Sequence, residues 1–292
     1  MTKQFVDLHT HSYRSDGTVS PEALVVLAKR IGLSAIALTD HDTIDGLAEF
    51  MEAGKKHDIE TIAGIEMACT YEKFHQPEIH IVGLGFDPDS PHLTGYLAAL
   101  REERKKRNLL MLAKLCDLGF DCTLEELHQT AGGRVVTRAH FGTLLFQKGY
   151  VKDRNEAFQK YIGNGCPAFL PRNLPTPKDV IAEIHNAGGV AILAHPTLYK
   201  LDFGQLDALC KEFVSYGLDG IECYYSTYTP NQRKAVLKLA KKHKLLPSGG
   251  SDFHGENKPD IQLGIGMGHL EVEYGCWQNL KTKDSSSLYS SE

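Results

Sequence analysis

The stretch that decides the fold lies near the start of the chain and reads, over residues 7–16, Asp7-Leu8-His9-Thr10-His11-Ser12-Tyr13-Arg14-Ser15-Asp16. The apolar residues just before it, Phe5 and Val6, predict a strand that ends in a polar loop. Because side chains at i and i+2 of a strand point to the same side, His9 and His11 project together, and Asp16 can fold back from the loop. Two imidazoles beside a carboxylate suit a first-row metal ion. An isolated pair of histidines can also be hydrogen-bonded core residues. The rest of the chain is needed to distinguish this interpretation from a metal site.

Length and composition describe an ordinary globular chain. Its 292 residues suffice for one large domain or two modest ones, and 42% of them are apolar and 24% charged. The formal net charge of −5 argues against an extended nucleic-acid surface, so an anionic substrate would be held locally by metals or a few arginines. Seven cysteines without a C-x-x-C pair, no signal peptide before Phe5 and no apolar run of membrane length predict a cytoplasmic protein with free thiols and no membrane partner.

Apolar runs and helix starts alternate along most of the chain. Three helix starts combine an N-cap hydroxyl with proline at the first helical position, at Ser20-Pro21, Thr176-Pro177 and Thr229-Pro230. Seven strand candidates, mostly separated by helices, are the opening run and residues 34–39, 61–66, 78–85, 190–194, 220–224 and 245–250. This alternation predicts an α/β protein with a parallel sheet, either open or closed.

Polar residues lie at the downstream ends of these predicted strands, at His9, His11, Asp40, His41, Glu66, His195, Asp252 and His254. In barrels of alternating strands and helices, that end of the sheet carries the chemistry. A doubly wound open sheet would also place ligands at strand ends, but only near one crevice. Candidate ligands after nearly every strand therefore favour a closed or nearly closed barrel.

The alternation stops at about residue 92. Residues 93–118 predict one long helix with a charged middle, and further short helices follow to about residue 163 without a strand-like run. The predicted organisation is a barrel from residues 1–97 and 169–280, an inserted helical subdomain over 98–168 and a flexible tail, rich in Ser and Lys, over 281–292.

Six histidines and three acids fall on or just after predicted strands or their loops: His9, His11, His41, His80, His195, His254, Asp16, Glu66 and Asp252. An open catalytic site uses three or four protein ligands, so nine side chains suit a cluster of two or three divalent ions. The positive charge of three such ions would exceed the negative charge of the three carboxylates. The excess positive charge would attract a phosphate group and lower the pKa of a bridging water. Metals about 3.5–4 Å apart hold the attacking hydroxide and the leaving oxygen together. Imidazole with carboxylate accepts Mn²⁺, Fe²⁺ or Zn²⁺.

In this order the motifs resemble the PHP (polymerase and histidinol phosphatase) family, nearly end to end. The matching pieces are His9-Thr10-His11 with Asp16, Thr39-Asp40-His41-Asp42, Gly64-Ile65-Glu66, His80, Ala194-His195-Pro196 and Ser251-Asp252-Phe253-His254. The resemblance implies a distorted, TIM-like (β/α)7 barrel with a trinuclear site.

The resemblance also implies how the ligands divide among three metals. One metal is expected on His9, His11, Glu66 and Asp252; a second on bridging Glu66 with His80 and His195; and a third on Asp16, His41 and His254. Asp40 is expected to orient a histidine rather than to bind a metal directly.

The helical insert resembles that of PHP members that hydrolyse nucleoside 3′,5′-bisphosphates and trim short RNAs from the 5′ end, in which the insert caps the metal site. Residues 136–141 resemble the Arg-x-His element of that subgroup, so Arg138 and His140 are expected to face the substrate phosphate and stabilise charge while a metal-bound hydroxide attacks. Arg104, Arg107 and Arg172 are further candidates for substrate binding. A solvated helix face is the alternative for Arg104 and Arg107.

The predicted function is therefore a metal-dependent phosphoesterase that acts on a small phosphorylated nucleotide or a short RNA. Two alternatives stay open, a histidinol-phosphate phosphatase with the same metal ligands and a non-catalytic metal-binding module such as those within polymerases. Glu222 either orients a ligand or is only a carboxylate at a strand end. Tyr224 and Tyr225 either stack on a base or pack in the core.

Overall fold

A computed structural model describes residues 3–75, 78–132 and 135–283. Seven strands form one sheet in chain order: β1 (Val6–Asp7), β2 (Ala35–Leu38), β3 (Glu60–Thr70), β4 (Glu78–Leu84), β5 (Val190–Leu193), β6 (Gly220–Tyr225) and β7 (Leu246–Gly250). Most strand residues are buried on both faces, as their near-continuous apolar runs predict. The predicted seven-stranded α/β barrel is confirmed.

The helices are α1 (Pro21–Arg30), α2 (Leu47–His57), α3 (Pro91–Asp117), α4 (Leu124–Ala131), α5 (Arg138–Gln147), α6 (Arg154–Ala157), α7 (Pro177–Asn186), α8 (Phe203–Ser215), α9 (Pro230–His243) and α10 (Tyr274–Thr282). The three predicted starts of α1, α7 and α9 are confirmed. In each, the N-cap hydroxyl of Ser20, Thr176 or Thr229 accepts a backbone N–H from the first turn, and proline follows. No helix in the described part of the chain is long and apolar enough to cross a membrane.

The expectation of a wholly parallel sheet is wrong at β4, which pairs antiparallel with both β3 and β5. Only residues 71–77 separate β3 from β4, too few for the crossover that two parallel strands require. Because β4 runs in reverse, its upstream end meets the downstream ends of its neighbours. His80, paired with Ala68, therefore lies near Glu66 at the end of the sheet where the other candidate ligands collect.

The sheet closes between its two edge strands, β1 and β7. The N–H of Leu8 donates to Gly249 O at 3.3 Å, and the N–H of Asp252 donates to His9 O at 2.8 Å. The residues that pack the core of this barrel include Val6, Leu8, Ala37, Ile192, Leu246 and, from α10, Trp277 and Leu280.

Helix α10 packs against β7 and is fixed by Glu60, whose carboxylate accepts hydrogen bonds from Trp277 Nε1 at 2.8 Å and from the Tyr274 hydroxyl at 2.5 Å. The prediction of a tail from residue 281 onward is wrong for residues 281 and 282, which belong to α10. The apolar anchors of the helix precede them and hold its last turn. The rest of that prediction, over 284–292, lies outside the described residues.

The chain divides into two compact units, one formed by residues up to Tyr96 and from Pro175 onward, the other by Leu97–Leu174. The first contains the seven strands. The second contains most of α3 together with α4, α5 and α6 around its own core, which includes Leu115, Leu127, Phe141 and Leu145. Its described residues include no strand, in agreement with the sequence pattern.

Candidate metal centre

The nine predicted side chains come together at one end of the barrel. Seven of them lie in or just after strands whose downstream ends meet there, Asp16 lies in the loop between β1 and α1, and His80 arrives on the reversed strand β4. All of them except His195 form three overlapping groups, each with ligand atoms within 4.8 Å of one another. The first group is His9, His11, Glu66 and Asp252; the second is His41, Glu66 and His80; the third is His11, Asp16, His41 and His254.

The first group is fully buried and compact. The Nε2 atoms of His9 and His11 lie 3.1 Å apart, and each lies 3.2 Å from Glu66 Oε2. Asp252 Oδ1 lies 3.7 Å from His9 Nε2 and 3.2 Å from His11 Nε2. Ligand atoms about 2.1 Å from one tetrahedral metal are roughly 3.4 Å apart, so these four atoms fit around a single ion.

Glu66 Oε2 provides the test of whether this set suits a metal. The atom is buried without a hydrogen-bond partner among the described residues, although three imidazole nitrogens surround it at 3.1–3.2 Å. For His9, the Glu222 carboxylate lies 2.7 Å from Nδ1, which assigns the ring proton to Nδ1 and leaves the Nε2 lone pair facing Glu66. A carboxylate oxygen opposite a nitrogen lone pair is stabilised by a cation between them. The residues therefore fit a divalent metal.

The second and third groups extend from the same carboxylate. Glu66 Oε1 lies 2.7 Å from His80 Nδ1 and 2.8 Å from His195 Nε2, and Glu66 Oε2 lies 3.1 Å from His41 Nδ1. Asp16 reaches into the third group, with Oδ1 3.1 Å from His254 Nε2.

The overlap of the groups differs from the division that the resemblance implies. His11 belongs to the first and third groups, and His41 belongs to the second and third. His195 contacts Glu66 at the edge of the second group, and its Nδ1 is buried without a partner among the described residues. Glu66, His11 and His41 thus link all three groups.

Several residues outside the nine hold the ligands in place. Glu222 contacts His9 through Oε1 and accepts the His195 N–H through Oε2 at 2.5 Å, so it orients two candidate ligands. Asp252 Oδ2 accepts hydrogen bonds from the Tyr225 hydroxyl and from Lys258 Nζ, both at 2.6 Å, which leaves Oδ1 directed at the histidines. Tyr225 is buried and does not present its face to a base.

The surroundings of Tyr224 and the backbone conformations of His195 and Asp252 are harder to predict from sequence than the candidate ligands. Tyr224 is partly buried against the barrel core, and the Arg233 guanidinium lies 5.7 Å from its ring centre. His195 and Asp252 have positive φ angles of 27° and 56°, a backbone conformation that is uncommon outside glycine and costs about 1–3 kcal/mol. No local pattern in the sequence indicates these two conformations.

The expected role of Asp40 is corrected by its hydrogen bonds. Its Oδ1 accepts from the Ser12 N–H at 2.8 Å and the Ser15 hydroxyl at 2.7 Å, and its Oδ2 accepts from the Ser12 hydroxyl at 2.6 Å. Serine donors in the loop between His11 and Asp16 occupy both of its oxygens. Asp40 therefore fixes the loop that carries Asp16, and Glu222 contacts a histidine instead.

The charges of the site are strongly coupled. Burial alone would raise the pKa of Glu66, but His41, His9 and His80 hold it well below its usual range. Burial also works against ionisation of Asp252, and His11 and His9 overcome it, so the pKa of this carboxyl is well below its usual range. Both carboxylates are thus charged at neutral pH and attract positive charge.

Protons supply that charge in the metal-free protein. Burial would lower the pKa of His11, but the neighbouring carboxylates of Asp252 and Glu66 raise it to about 9. Burial likewise opposes protonation of His80, whose pKa the Glu66 charge raises to about 10. Burial dominates for His41 and lowers its pKa to about 4.

The predicted substrate-binding residues lie in the unit Leu97–Leu174. Thr137 is the N-cap of α5, and its N–H donates to His140 Nδ1 at 3.0 Å, so a neutral His140 carries its proton on Nε2 as a donor. Arg138 donates to Asn164 Oδ1 at 3.0 Å, and its guanidinium lies 5.3 Å from the Phe169 ring centre.

The other three arginines differ in burial. Arg107 is only 7% exposed, with Nη1 3.0 Å from Met111 Sδ, so the alternative of a solvated helix face is wrong for this residue. Arg104 and Arg172 are half-buried.

A seven-stranded α/β barrel with histidines and carboxylates gathered at one end has the architecture of metal-dependent phosphoesterases. A Bifidobacterium adolescentis structure assigned to that class matches with a TM-score of 0.79 and 30% identity, covering 96% of each chain. An amidohydrolase structure from Chromobacterium violaceum matches with a TM-score of 0.77 and 30% identity over 95% of this chain and 96% of its own. The PHP domain family model matches residues 7–166. The chain belongs to the PHP domain family.

Relatives that span nearly the whole chain are enzymes of phosphate esters. A 5′-3′ exoribonuclease of Haemophilus influenzae is 39% identical over 87% of this chain and 91% of its own length. The 5′-3′ exoribonuclease Rnm of Escherichia coli K12 is 35% identical over 93% and 92%. A 3′,5′-nucleoside bisphosphate phosphatase of Chromobacterium violaceum is 33% identical over 91% of each. The predicted class, a metal-dependent hydrolase of phosphoric esters, is confirmed.

Proposed function

We propose that the nine gathered side chains hold two or three divalent ions, Mn²⁺, Fe²⁺ or Zn²⁺, and that the protein removes phosphate from nucleoside 3′,5′-bisphosphates or cleaves short 5′-phosphorylated oligonucleotides. The observation that carries the proposal is the first group, in which four ligand atoms converge and Glu66 Oε2 is buried without a hydrogen-bond partner among the described residues. The activities of the exoribonuclease and bisphosphate phosphatase relatives support the choice of substrate.

Divalent ions, when bound, polarise a phosphoryl oxygen and make water acidic enough to attack near neutral pH. The chain's own residues supply the fixed geometry. Glu222 keeps the His9 lone pair directed inward, and Tyr225 with Lys258 holds Asp252 so that one oxygen faces the histidines. Asp40 orders the loop that carries Asp16. This preorganisation avoids reordering the ligands when substrate binds.

Arg138 and His140 are proposed to bind the phosphate of the substrate, with Arg104, Arg107 and Arg172 as further candidates. The planar guanidinium of Arg138 offers a two-point contact to phosphate oxygens, and packing against Phe169 limits its freedom. A neutral His140 carries its proton on Nε2, because its Nδ1 accepts the backbone N–H of Thr137. Both lie in the first turn of α5, where backbone N–H groups also favour an anion.

The proposed location is the cytoplasm. All seven cysteines are unpaired, and three of them, Cys69, Cys210 and Cys223, are fully buried among core residues. Free thiols of this kind are typical of a reducing compartment.

The test supplies metal-stripped and Mn²⁺-loaded protein with a nucleoside 3′,5′-bisphosphate, a 5′-phosphorylated RNA trimer, histidinol phosphate and a cyclic phosphodiester in parallel. The proposal predicts metal-dependent release of orthophosphate from the bisphosphate or of mononucleotides from the trimer. Faster turnover of histidinol phosphate would favour the alternative phosphatase, and no metal-dependent hydrolysis of either nucleotide substrate would contradict the proposal.

A further inference from the structure

The carboxylate of Asp7 lies at the junction between the first and last strands, and it is not one of the nine proposed ligands. Asp7 ends β1 and is fully buried. Its Oδ1 accepts the backbone N–H of His9 at 3.3 Å and of Ser251 at 2.8 Å. Its Oδ2 accepts the Ser251 hydroxyl at 2.5 Å and the Gly264 N–H at 2.8 Å. One side chain therefore joins three separate segments of the chain.

This junction is where the barrel closes. Between the backbone hydrogen bonds that join Leu8 to Gly249 and Asp252 to His9, the N–H of Ser251 donates to the Asp7 carboxylate rather than to a backbone carbonyl. The strands are very close here, because a Cβ added at Gly250 would lie 2.4 Å from His9 N and 2.9 Å from Asp7 Oδ1. Asp7 thus replaces a backbone contact in the seam between β1 and β7.

The segments that follow β1 and β7, here called the two arms, carry four of the nine proposed ligands. His9 and His11 lie on the first arm, and Asp252 and His254 lie on the second. The first and third groups each take ligands from both arms. The second group, His41, Glu66 and His80, takes none from either arm. The spacing of the arms therefore bears on two groups and not on the other.

We propose that Asp7 is a positioning residue that sets the spacing of these two arms and thereby the metal affinity of the first and third groups. The inference rests on the proposed function, because it takes the nine side chains as metal ligands. The hydrogen bonds of Asp7 reach the backbone of His9 itself and of Ser251, the residue before Asp252. A shift of either segment moves Asp252 Oδ1 relative to the imidazoles of His9 and His11.

The test compares Asp7→Asn with Asp219→Asn in the full-length protein. Asp219 is a matched control, since its largely buried carboxylate accepts the Ala191 N–H at 2.8 Å and contacts His185 Nε2 at 2.7 Å. It lies at the upstream ends of β5 and β6, away from the ligands. Each protein is stripped, titrated with Zn²⁺ against a chromogenic chelator, and unfolded thermally in parallel.

For Asp7→Asn we expect the sites of the first and third groups to bind Zn²⁺ about 10- to 100-fold more weakly. The site of the second group should keep its wild-type affinity. Asp219→Asn is expected to lose thermal stability but to keep wild-type affinities. Ser251→Ala removes one of the four hydrogen bonds and should weaken the same sites by a smaller factor, which gives a readout if Asp7→Asn does not fold.

Wild-type Zn²⁺ affinities in Asp7→Asn would overturn the inference. In the absence of folded Asp7→Asn, wild-type affinities in Ser251→Ala would do the same. An equal loss of affinity in Asp219→Asn would also overturn it, because the effect would then be one of general stability. A wild-type protein that bound no Zn²⁺ would instead overturn the proposed function, so the two failures are distinguishable.

Discussion

At the scale of single residues, the site is built from carboxylates that each contact more than one histidine. Glu66 lies within 3.2 Å of five histidine nitrogens, from His9, His11, His41, His80 and His195. Glu222 contacts the His9 ring from the outer side and the His195 backbone. The inner carboxylate collects the ligands, and the outer one fixes their orientation.

Replacing Glu222 with Gln should weaken metal binding about 10- to 100-fold with little change in the fold, because an amide cannot accept at both ends. If the amide oxygen accepts the hydrogen bond from His9 Nδ1–H, the amide NH₂ group faces the His195 N–H, and two donors then oppose each other. Competition titration with Zn²⁺ measures the effect, and Glu125→Gln on the exposed side of α4 is the control. Unchanged affinity in Glu222→Gln would show that His9 needs no such partner.

Replacing Arg138 with Lys should raise the KM for a nucleoside bisphosphate about tenfold, since a lysine keeps the charge but loses the two-point contact, worth about 1.4 kcal/mol or more. The metal content should stay at the wild-type value. Steady-state kinetics and metal analysis check the two parts, with Arg154→Lys, exposed at the start of α6, as control. An unchanged KM would remove Arg138 from the proposed site.

At the scale of elements, the reversed strand β4 and the terminal helix α10 are what a simple alternation of strands and helices does not predict. The short connection over residues 71–77 reverses β4 and brings His80 to the ligand end. Helix α10 places Trp277, only 5% exposed, against the core at the opposite end of the barrel.

Replacing Trp277 with Ala should lower the free energy of unfolding of the metal-free protein by about 3–5 kcal/mol, through the cavity it leaves and the lost hydrogen bond to Glu60. Trp277→Phe should cost less, since most of the volume remains. Urea denaturation measures both. Zn²⁺ affinity should be retained in both folded variants, and a loss below about 1 kcal/mol in Trp277→Ala would mean that α10 is dispensable for the core.

At the scale of the whole molecule, we expect metal ions and protons to compete for the proposed metal site. The pKa of His11 is raised to about 9 and that of His80 to about 10, against about 6.5 in an unfolded chain. The folded protein thus holds more protons than the unfolded chain above that pH. The stability that these two groups contribute is fully present below about pH 6.5 and is lost as the pH rises through about 9 to 10.

The melting temperature of metal-stripped protein should therefore fall between about pH 6.5 and pH 10. Metal-loaded protein should show a smaller fall over the same interval, because ions then supply the positive charge that protons supply otherwise. Thermal scans of the two forms in matched buffers check this. Parallel curves for the two forms would contradict the competition.

The convergence of the nine proposed ligands could be predicted because most of them follow a local pattern, a His, Asp or Glu in or just after an apolar strand. Their supports could not, because they depend on contacts between distant residues. Glu222 meets His9 across 213 positions of sequence, and Asp40 meets serines rather than a histidine only because of the path of one loop. The direction of β4 depends on the short connection over residues 71–77. The apolar pattern alone predicts the strand but not its direction.

Anomalous X-ray diffraction from crystals grown with Mn²⁺ tests most directly whether the barrel holds a metal cluster. We expect two or three anomalous peaks at the ligand end of the barrel, one of them bonded to His9 Nε2, His11 Nε2, Glu66 Oε2 and Asp252 Oδ1. A map without a peak in bonding distance of the Glu66 carboxylate, from protein that is folded and saturated with Mn²⁺, would contradict the proposed centre.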